Sequence, residues 1–198
     1  MNADEGFVGR VFTLPQPYEV EPEVLRAFAR SVGATHPACH DAAAARALGY
    51  RDIVATPTFA VVIAQAAEAI YINDPAAGID FTRVVHAEER FEHHHPIVAG
   101  DRVAATVEVV AITARAGITR VTTRTSLAPA DADQPLPPPV PPTAPAPPST
   151  HLPTPTPPQG ALNPTPAAPD PPTEPAPGGG RALATVWSTL AVRSGGAE

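Results

Sequence analysis

The chain has 198 residues, a formal net charge of −7 and no run of basic residues, which excludes an electrostatic footprint for nucleic acid. Its 28 prolines are too many for an ordinary domain of this length, and 21 of them fall between Pro129 and Pro177. The single cysteine, Cys39, excludes an internal disulfide and any zinc module built on paired cysteines.

The opening residues MNADEG have neither the positive region nor the apolar run of a leader, and no segment has the roughly 18 consecutive apolar residues of a membrane span. A soluble, cytoplasmic protein is expected. Phe7 to Phe12 reads as a short strand, and Tyr18 to Val20 as a second, set off by Pro15 and Pro17. Pro22 opens a helix at a first-turn position. Val24, Leu25, Phe28, Ala29 and Val32 make its apolar stripe, and Gly33 ends it. Asp41 to Leu48 is a short Ala-rich helix closed by Gly49. Thr56 to Ile72, marked at its start by Pro57, is a helix apolar on nearly every side, which predicts burial all round within a wrapping sheet.

Four long strands follow, at Thr82 to His95, Arg102 to Ala114, Ile118 to Leu127 and Arg181 to Arg193. Val103, Ala105, Val107 and Val109 alternate with Arg102, Ala104, Thr106 and Glu108, as in a half-buried strand. Thr119, Val121, Thr123, Thr125 and Leu127 repeat the pattern, as do Ala184, Val186, Ser188, Leu190 and Val192. The expected division is a folded body of residues 1–128 plus 181–198, with a Pro/Ala/Thr-rich insert at 129–180 between the last two strands. The insert has too few aliphatic residues to offset its ordering entropy and is expected to be extended and disordered. It reads either as a low-complexity expansion of a surface hairpin or as a polyproline ligand, through stretches such as Pro138 to Pro141 and Pro142 to Pro145.

One long helix followed by four long strands resembles the MaoC-like hot-dog domain, an α+β fold. The likeness is carried by Phe7-Val8-Gly9-Arg10, Tyr18-Glu19-Val20, Ala45 to Tyr50, Pro57-Thr58-Phe59, Val84-Val85-His86, Arg90-Phe91, Pro96 to Asp101 and Trp187 to Arg193. In order and spacing these are similar to the actinobacterial N-terminal (FAS1-like) dehydratase group, which includes the non-catalytic subunits of the dehydratases of mycolic-acid elongation. The resemblance implies dehydration of a (3R)-hydroxyacyl thioester, or the reverse hydration, in fatty-acid metabolism, with no cofactor. Such a reaction needs a base for the proton beside the thioester carbonyl, an acid for the departing hydroxyl and a donor for the enolate-like oxygen.

Active relatives take acid and base from a Gly-Asp-x-Asn-Pro-x-His motif and the donor from a backbone amide at the start of the long helix. Laid on Gly33-Ala34-Thr35-His36-Pro37-Ala38-Cys39, that motif puts Ala34 in place of the aspartate and Cys39 in place of the histidine. The amide donor falls on Pro57, which has no N–H. His36 stands at the asparagine position, and His40 lies one residue past the histidine, turned about 100° away if helical. Both are weak catalytic candidates, set against a capping or solvated role. The resemblance also implies a substrate channel shaped by Pro57, Thr58, Phe59, Val62, His86 and Phe91.

His93-His94-His95 suggests a metal, but neighbouring strand residues face opposite sides, so no metal site is expected. By the same rule Glu88 and Glu89 are not a carboxylate pair. The expected function is the substrate-holding half of a dehydratase. Its expected partners are an acyl-ACP or acyl-CoA substrate and a MaoC-like hot-dog subunit, or a second copy in a homodimer. Two alternatives stand beside it: a non-enzymatic scaffold working through its Pro-rich arm, and a hot-dog thioesterase, for which Glu68 is the only acid on the long helix.

Overall fold

A computed structural model describes residues 4–131, 136 and 181–193. The expected disorder of the Pro-rich segment concerns residues that lie almost wholly outside these.

Helix α1 (Pro22–Ser31) starts at the proline, as its fixed φ favours, and buries Leu25 and Ala29. Helix α2 (Ala42–Ala47) is capped by Asp41, whose carboxylate accepts the Ala44 N–H at 2.7 Å. A 3-10 turn at Pro57–Phe59 leads into α3 (Ala60–Ile72), the long apolar helix.

Six antiparallel strands form one sheet: β1 (Val11–Thr13), β2 (Tyr18–Glu19), β3 (Val84–His93), β4 (Arg102–Arg115), β5 (Ile118–Pro129) and β6 (Ala184–Arg193). The order is β1-β4-β5-β6-β3, with β2 also on β4. Ile63, Ala64 and Ala67 of α3 pack on Val103, Ala105, Val107, Leu127 and Val186. A second cluster gathers Phe7, Tyr71, Ile112, Val121 and Leu190 around the far half of the helix. This is the hot-dog fold, one long helix held against an antiparallel sheet. Among the described residues no helix is long and apolar enough to cross a membrane.

The inward faces follow the alternation. Val103, Ala105, Val107 and Val109 are buried, and so are the five inward residues of β5 and the five of β6. A bulge between Val109 and Ala111 shifts the pattern by one, so Ile112 is the next buried residue. Two expectations change at their edges. The segment from Phe7 is a 3-10 turn (Glu5–Phe7) capped by Asp4, and Gly9 at φ 82° reverses the chain, so the strand begins only at Val11. The strand expected from Thr82 begins at Val84, because Asp80 caps a further 3-10 turn at Phe81–Arg83.

The flanks of the insert are pinned to each other. The Leu183 N–H donates to the Leu127 carbonyl at 2.8 Å, and Leu127 pairs with Ala184. β5 itself runs on to Pro129, and the Ala130 N–H reaches the Arg102 carbonyl at 2.8 Å. Arg102 also pairs with Asp131 and Glu19, both at 2.9 Å.

Candidate functional site

The motif loop begins where α1 stops. Gly33 at φ 68° turns the chain, and the Ala34 N–H returns to the Ala29 carbonyl at 2.9 Å. Pro37 keeps the preceding His36 extended. The next turn (Pro37–Cys39) carries Ala38 and Cys39 into the interior. The His36 Nδ1 accepts the Ala38 N–H at 3.3 Å, as a cap. The His40 Nε2 lies 2.7 Å from the Ala34 carbonyl, so that nitrogen carries the hydrogen and donates. The His40 carbonyl in turn accepts from Arg26 Nε at 2.8 Å. Burial pushes the Cys39 thiol above its usual range, towards the protonated and unreactive form. His36 and His40 are thus each tied to local backbone through one ring nitrogen.

Pro57 opens the 3-10 turn and offers no amide hydrogen, and the Phe59 N–H is used within the turn, on the Thr56 carbonyl at 3.0 Å. Pro57 and Thr58 are exposed and Val62 is half-buried, whereas Phe59 is fully enclosed. The Phe59 ring meets Phe28 edge-on at 5.4 Å and Tyr18 at 6.4 Å, so it packs against α1 behind the helix start.

A seam between α3 and the edge strand β3 runs along the other side of the helix. The helix packs mainly on β1, β4, β5 and β6, while the edge strand β3 meets the Pro57–Phe59 turn at its start. Val84, His86, Glu89, Phe91 and His93 pair across to Val192, Leu190, Ser188, Val186 and Ala184, all buried, which fixes them as the inward side. A bulge between His86 and Glu88 makes this possible. Strict alternation back from Glu89 would have turned Ala87 and Val85 inward, but Val85 is 65% exposed.

Thr58, Val62 and Gln65 make one helical stripe. It faces this strand, since the Gln65 amide nitrogen lies 3.2 Å from His86 Nδ1. At the other end the His93 ring hydrogen-bonds the Pro57 carbonyl and stacks on Phe91 at 6.0 Å. Burial draws the His93 pKa down against that bond, and His94 adds to the lowering. The structure therefore brings Pro57, Thr58, Val62, His86 and Phe91 together along one seam and sets Phe59 behind it. His36 and His40 are held in their own loop.

Glu68 lies beneath this seam, between helix and sheet, and is 1% exposed. The Thr123 hydroxyl donates to its Oε1 at 2.5 Å, and its Oε2 has no partner among the described residues. Register puts Glu89, Ser188 and Thr123 in one row across β3, β6 and β5. The Ser188 hydroxyl lies between the two carboxylates without regular hydrogen-bond geometry to either. Burial, helped by the neighbouring Glu89 and opposed by Thr123 and Ser188, raises the Glu68 pKa to about 7. Burial also raises that of Glu89, against Ser188 and His86.

Glu68 is enclosed, which denies it the water that a thioesterase carboxylate must activate. The sequence signal for this row was a single acid in a helix apolar on all sides, together with a serine and threonines at inward strand positions.

The shift has a sign. Between about pH 4.5 and 7 the folded chain holds a proton on Glu68 that the unfolded chain has released, so this contribution is full below the lower value and lost by the upper. It amounts to about 3 kcal/mol at most. Glu68→Gln is therefore expected to gain stability over the parent as pH rises from about 5 to about 8. Urea midpoints at both pH values check this, and a constant difference between the two proteins would refute it.

Among the described residues no three His, Cys, Asp or Glu side chains are grouped to hold a metal. The His94 and His95 backbone N–H groups both donate to the Leu183 carbonyl. A cleft of about 480 Å³ opens at the far end of α3, among Ile72, Pro75, Ile79 and Phe81. Its acids Asp74 and Asp80 cap turns, and it is remote from the motif positions.

Residues 6–133 match the family described as FAS1-like, dehydratase domain region. A UPF0336 protein of Streptomyces griseus is 44% identical over 117 residues, covering 59% of this chain and 78% of that one. Among solved structures, the C-terminally truncated HadBC (3R-hydroxyacyl-ACP dehydratase) complex from Mycobacterium tuberculosis aligns with a TM-score of 0.64 at 22% identity, over 96% of this chain and 99% of that one. A MaoC-like dehydratase aligns with a TM-score of 0.65 at 26% identity, over 96% of this chain and 43% of the other. With well over half of its length matched and the hot-dog fold in place, the chain belongs to the FAS1-like dehydratase-domain family.

Proposed function

We propose that this chain is the substrate-holding half of a (3R)-hydroxyacyl-thioester dehydratase or enoyl hydratase of fatty-acid metabolism, and that a MaoC-like hot-dog partner supplies the catalytic aspartate and histidine. One observation carries the reading: where active relatives place acid, base and amide donor, this chain has Ala34, Cys39 and Pro57, and the nearby His36 and His40 are bound to local backbone. The edge position of β3 supports it, because a second hot-dog domain laid against this strand would pair its outer backbone groups and roof the seam between β3 and α3.

In this arrangement Pro57, Thr58, Val62, His86 and Phe91 wall the acyl channel, and Phe59 holds the start of α3 behind them. The partner takes the proton beside the thioester carbonyl and protonates the leaving hydroxyl. A homodimer would assemble the channel without either proton-transfer group. The carrier is ACP or CoA, and the acidic chain favours neither.

The test is turnover of a crotonyl or (3R)-hydroxybutyryl thioester by the purified chain alone, by a MaoC-like subunit encoded nearby, and by the mixture. Activity is expected in the mixture and at background for this chain alone. Turnover by this chain alone would overturn the reading and return His36 or His40 to the mechanism.

A further inference from the structure

The seam between α3 and β3 is fastened at two places of unlike chemistry. At the helix start the His93 ring bonds the Pro57 carbonyl and stacks on Phe91. Towards the other end the fastening is the polar row, in which Glu89 of β3, Ser188 of β6 and Thr123 of β5 share one register line and Glu68 of α3 lies against it.

The two carboxylates of this row have little to hold their charge. Glu68 is 1% exposed and its Oε1 accepts from Thr123. Its Oε2, both Glu89 oxygens and the Ser188 hydroxyl are buried without a hydrogen bond among the described residues. β3 brings His86, whose Nδ1 stands 3.8 Å from Glu89 and 3.2 Å from the Gln65 amide nitrogen of α3. β5 and β6 bring only the two hydroxyls, and β4 brings the apolar Val109 in line with Thr123. The chain has no lysine. The arginines of these strands keep to the outer face, with Arg90 over the Trp187 ring, Arg124 on Glu108 and Arg120 exposed.

Two enclosed carboxylates with so little cationic support are costly to ionise together, and a proton held between them relieves the repulsion. Burial first, and Glu89 with it, keep that proton on Glu68 up to about pH 7. The strand over the row is also the one free to yield. β3 stands last in the sheet order, next to β6, and the irregularity between His86 and Glu88 interrupts that ladder beside Glu89.

We propose that the Glu68–Ser188–Glu89 row is a pH-sensitive clasp on the edge strand: while the two carboxylates share a proton, Val84 to Glu89 stays closed on α3, and when the proton is lost this half of β3 lifts and water reaches both acids. The His93 fastening keeps the other half in place. The closed state binds the proton more tightly than the open one, so opening is rarest in acid and grows as pH rises through neutrality.

Hydrogen exchange of the full chain at pH 5.5 and 8, corrected for the intrinsic effect of pH on amide exchange, tests this. The amides of Val84 to Glu89 are expected to be less protected than those of β4 and β5 at both values, which marks a separate opening. Their protection is expected to fall by at least about tenfold from the lower pH to the higher. E68Q, neutral at both, is expected to remove most of that fall. A first half of β3 as well protected as β4 and β5 overturns the inference, because the strand then leaves only when the whole chain unfolds. Lower protection that does not change with pH also overturns it, since such fraying leaves the acids enclosed, and so does an undiminished fall in E68Q. The comparison of strands and of pH values is made on the parent chain, so it decides the matter even where the variant fails to fold.

Discussion

Replacing Asp101 by alanine is expected to remove about 3 kcal/mol of stability, a large share of the 5–15 kcal/mol that holds a typical domain. Asp101 is fully buried, accepts the Val98 N–H at 2.7 Å through Oδ2 and pairs with Arg51 through Oδ1. It anchors the tight turn ahead of β4, where Gly100 takes φ 84°. Three stretches of chain meet at that turn. The Val20 N–H donates to the Asp101 carbonyl, the Gly100 N–H to the Val20 carbonyl and the Ala99 N–H to the Ile53 carbonyl, at 2.8–2.9 Å. Arg51 is partly exposed and can turn to water, so the loss comes mainly from the stranded Val98 amide and the space left behind. Asp101→Asn keeps an acceptor for that amide and is expected to lose about half as much. Urea unfolding of the two variants checks the order, and an alanine variant within about 0.5 kcal/mol of the parent would refute it.

Truncating Phe59 to alanine is expected to remove about 3–5 kcal/mol. Its ring is fully enclosed and touches Phe28 of α1 and Tyr18 of β2, so it holds both to the start of α3. Phe59→Leu keeps most of the volume and is expected to lose about 1.5 kcal/mol or less. Thermal melts separate the two. If alanine and leucine were equivalent, the ring would not be the fastening that its contacts indicate.

The hot-dog order was legible because it is written in local patterns. An all-round apolar helix predicts a wrapped helix, and alternation in β4, β5 and β6 marks the buried faces residue by residue. The misread stretches are those where a cap or a glycine overrides hydrophobicity. Phe7 is as buried as a strand residue would be, but Asp4 and Gly9 fold its neighbourhood into a turn.

At the candidate site, the motif positions could be read because they are contiguous in sequence. The Glu68 row could not, since Thr123, Ser188 and Glu89 come from three strands and meet only through register. His86 joined the inward face through a bulge that no alternation count anticipates. Phe59 was read from its place in a motif, and its burial is set by its size and by its neighbours on α1 and β2.

The irregularity at His86–Glu88 has a second effect, on what this molecule can stick to. A ten-residue border strand with free amides and carbonyls, and with Val85 largely exposed, is an open template for strand addition. The extra residue breaks the regular ladder partway along and increases the local twist. A flat, regular strand can follow only part of such a border. Any chain that pairs along its whole length must bring a matching irregularity, so the border admits complementary partners and resists indiscriminate stacking into fibrils.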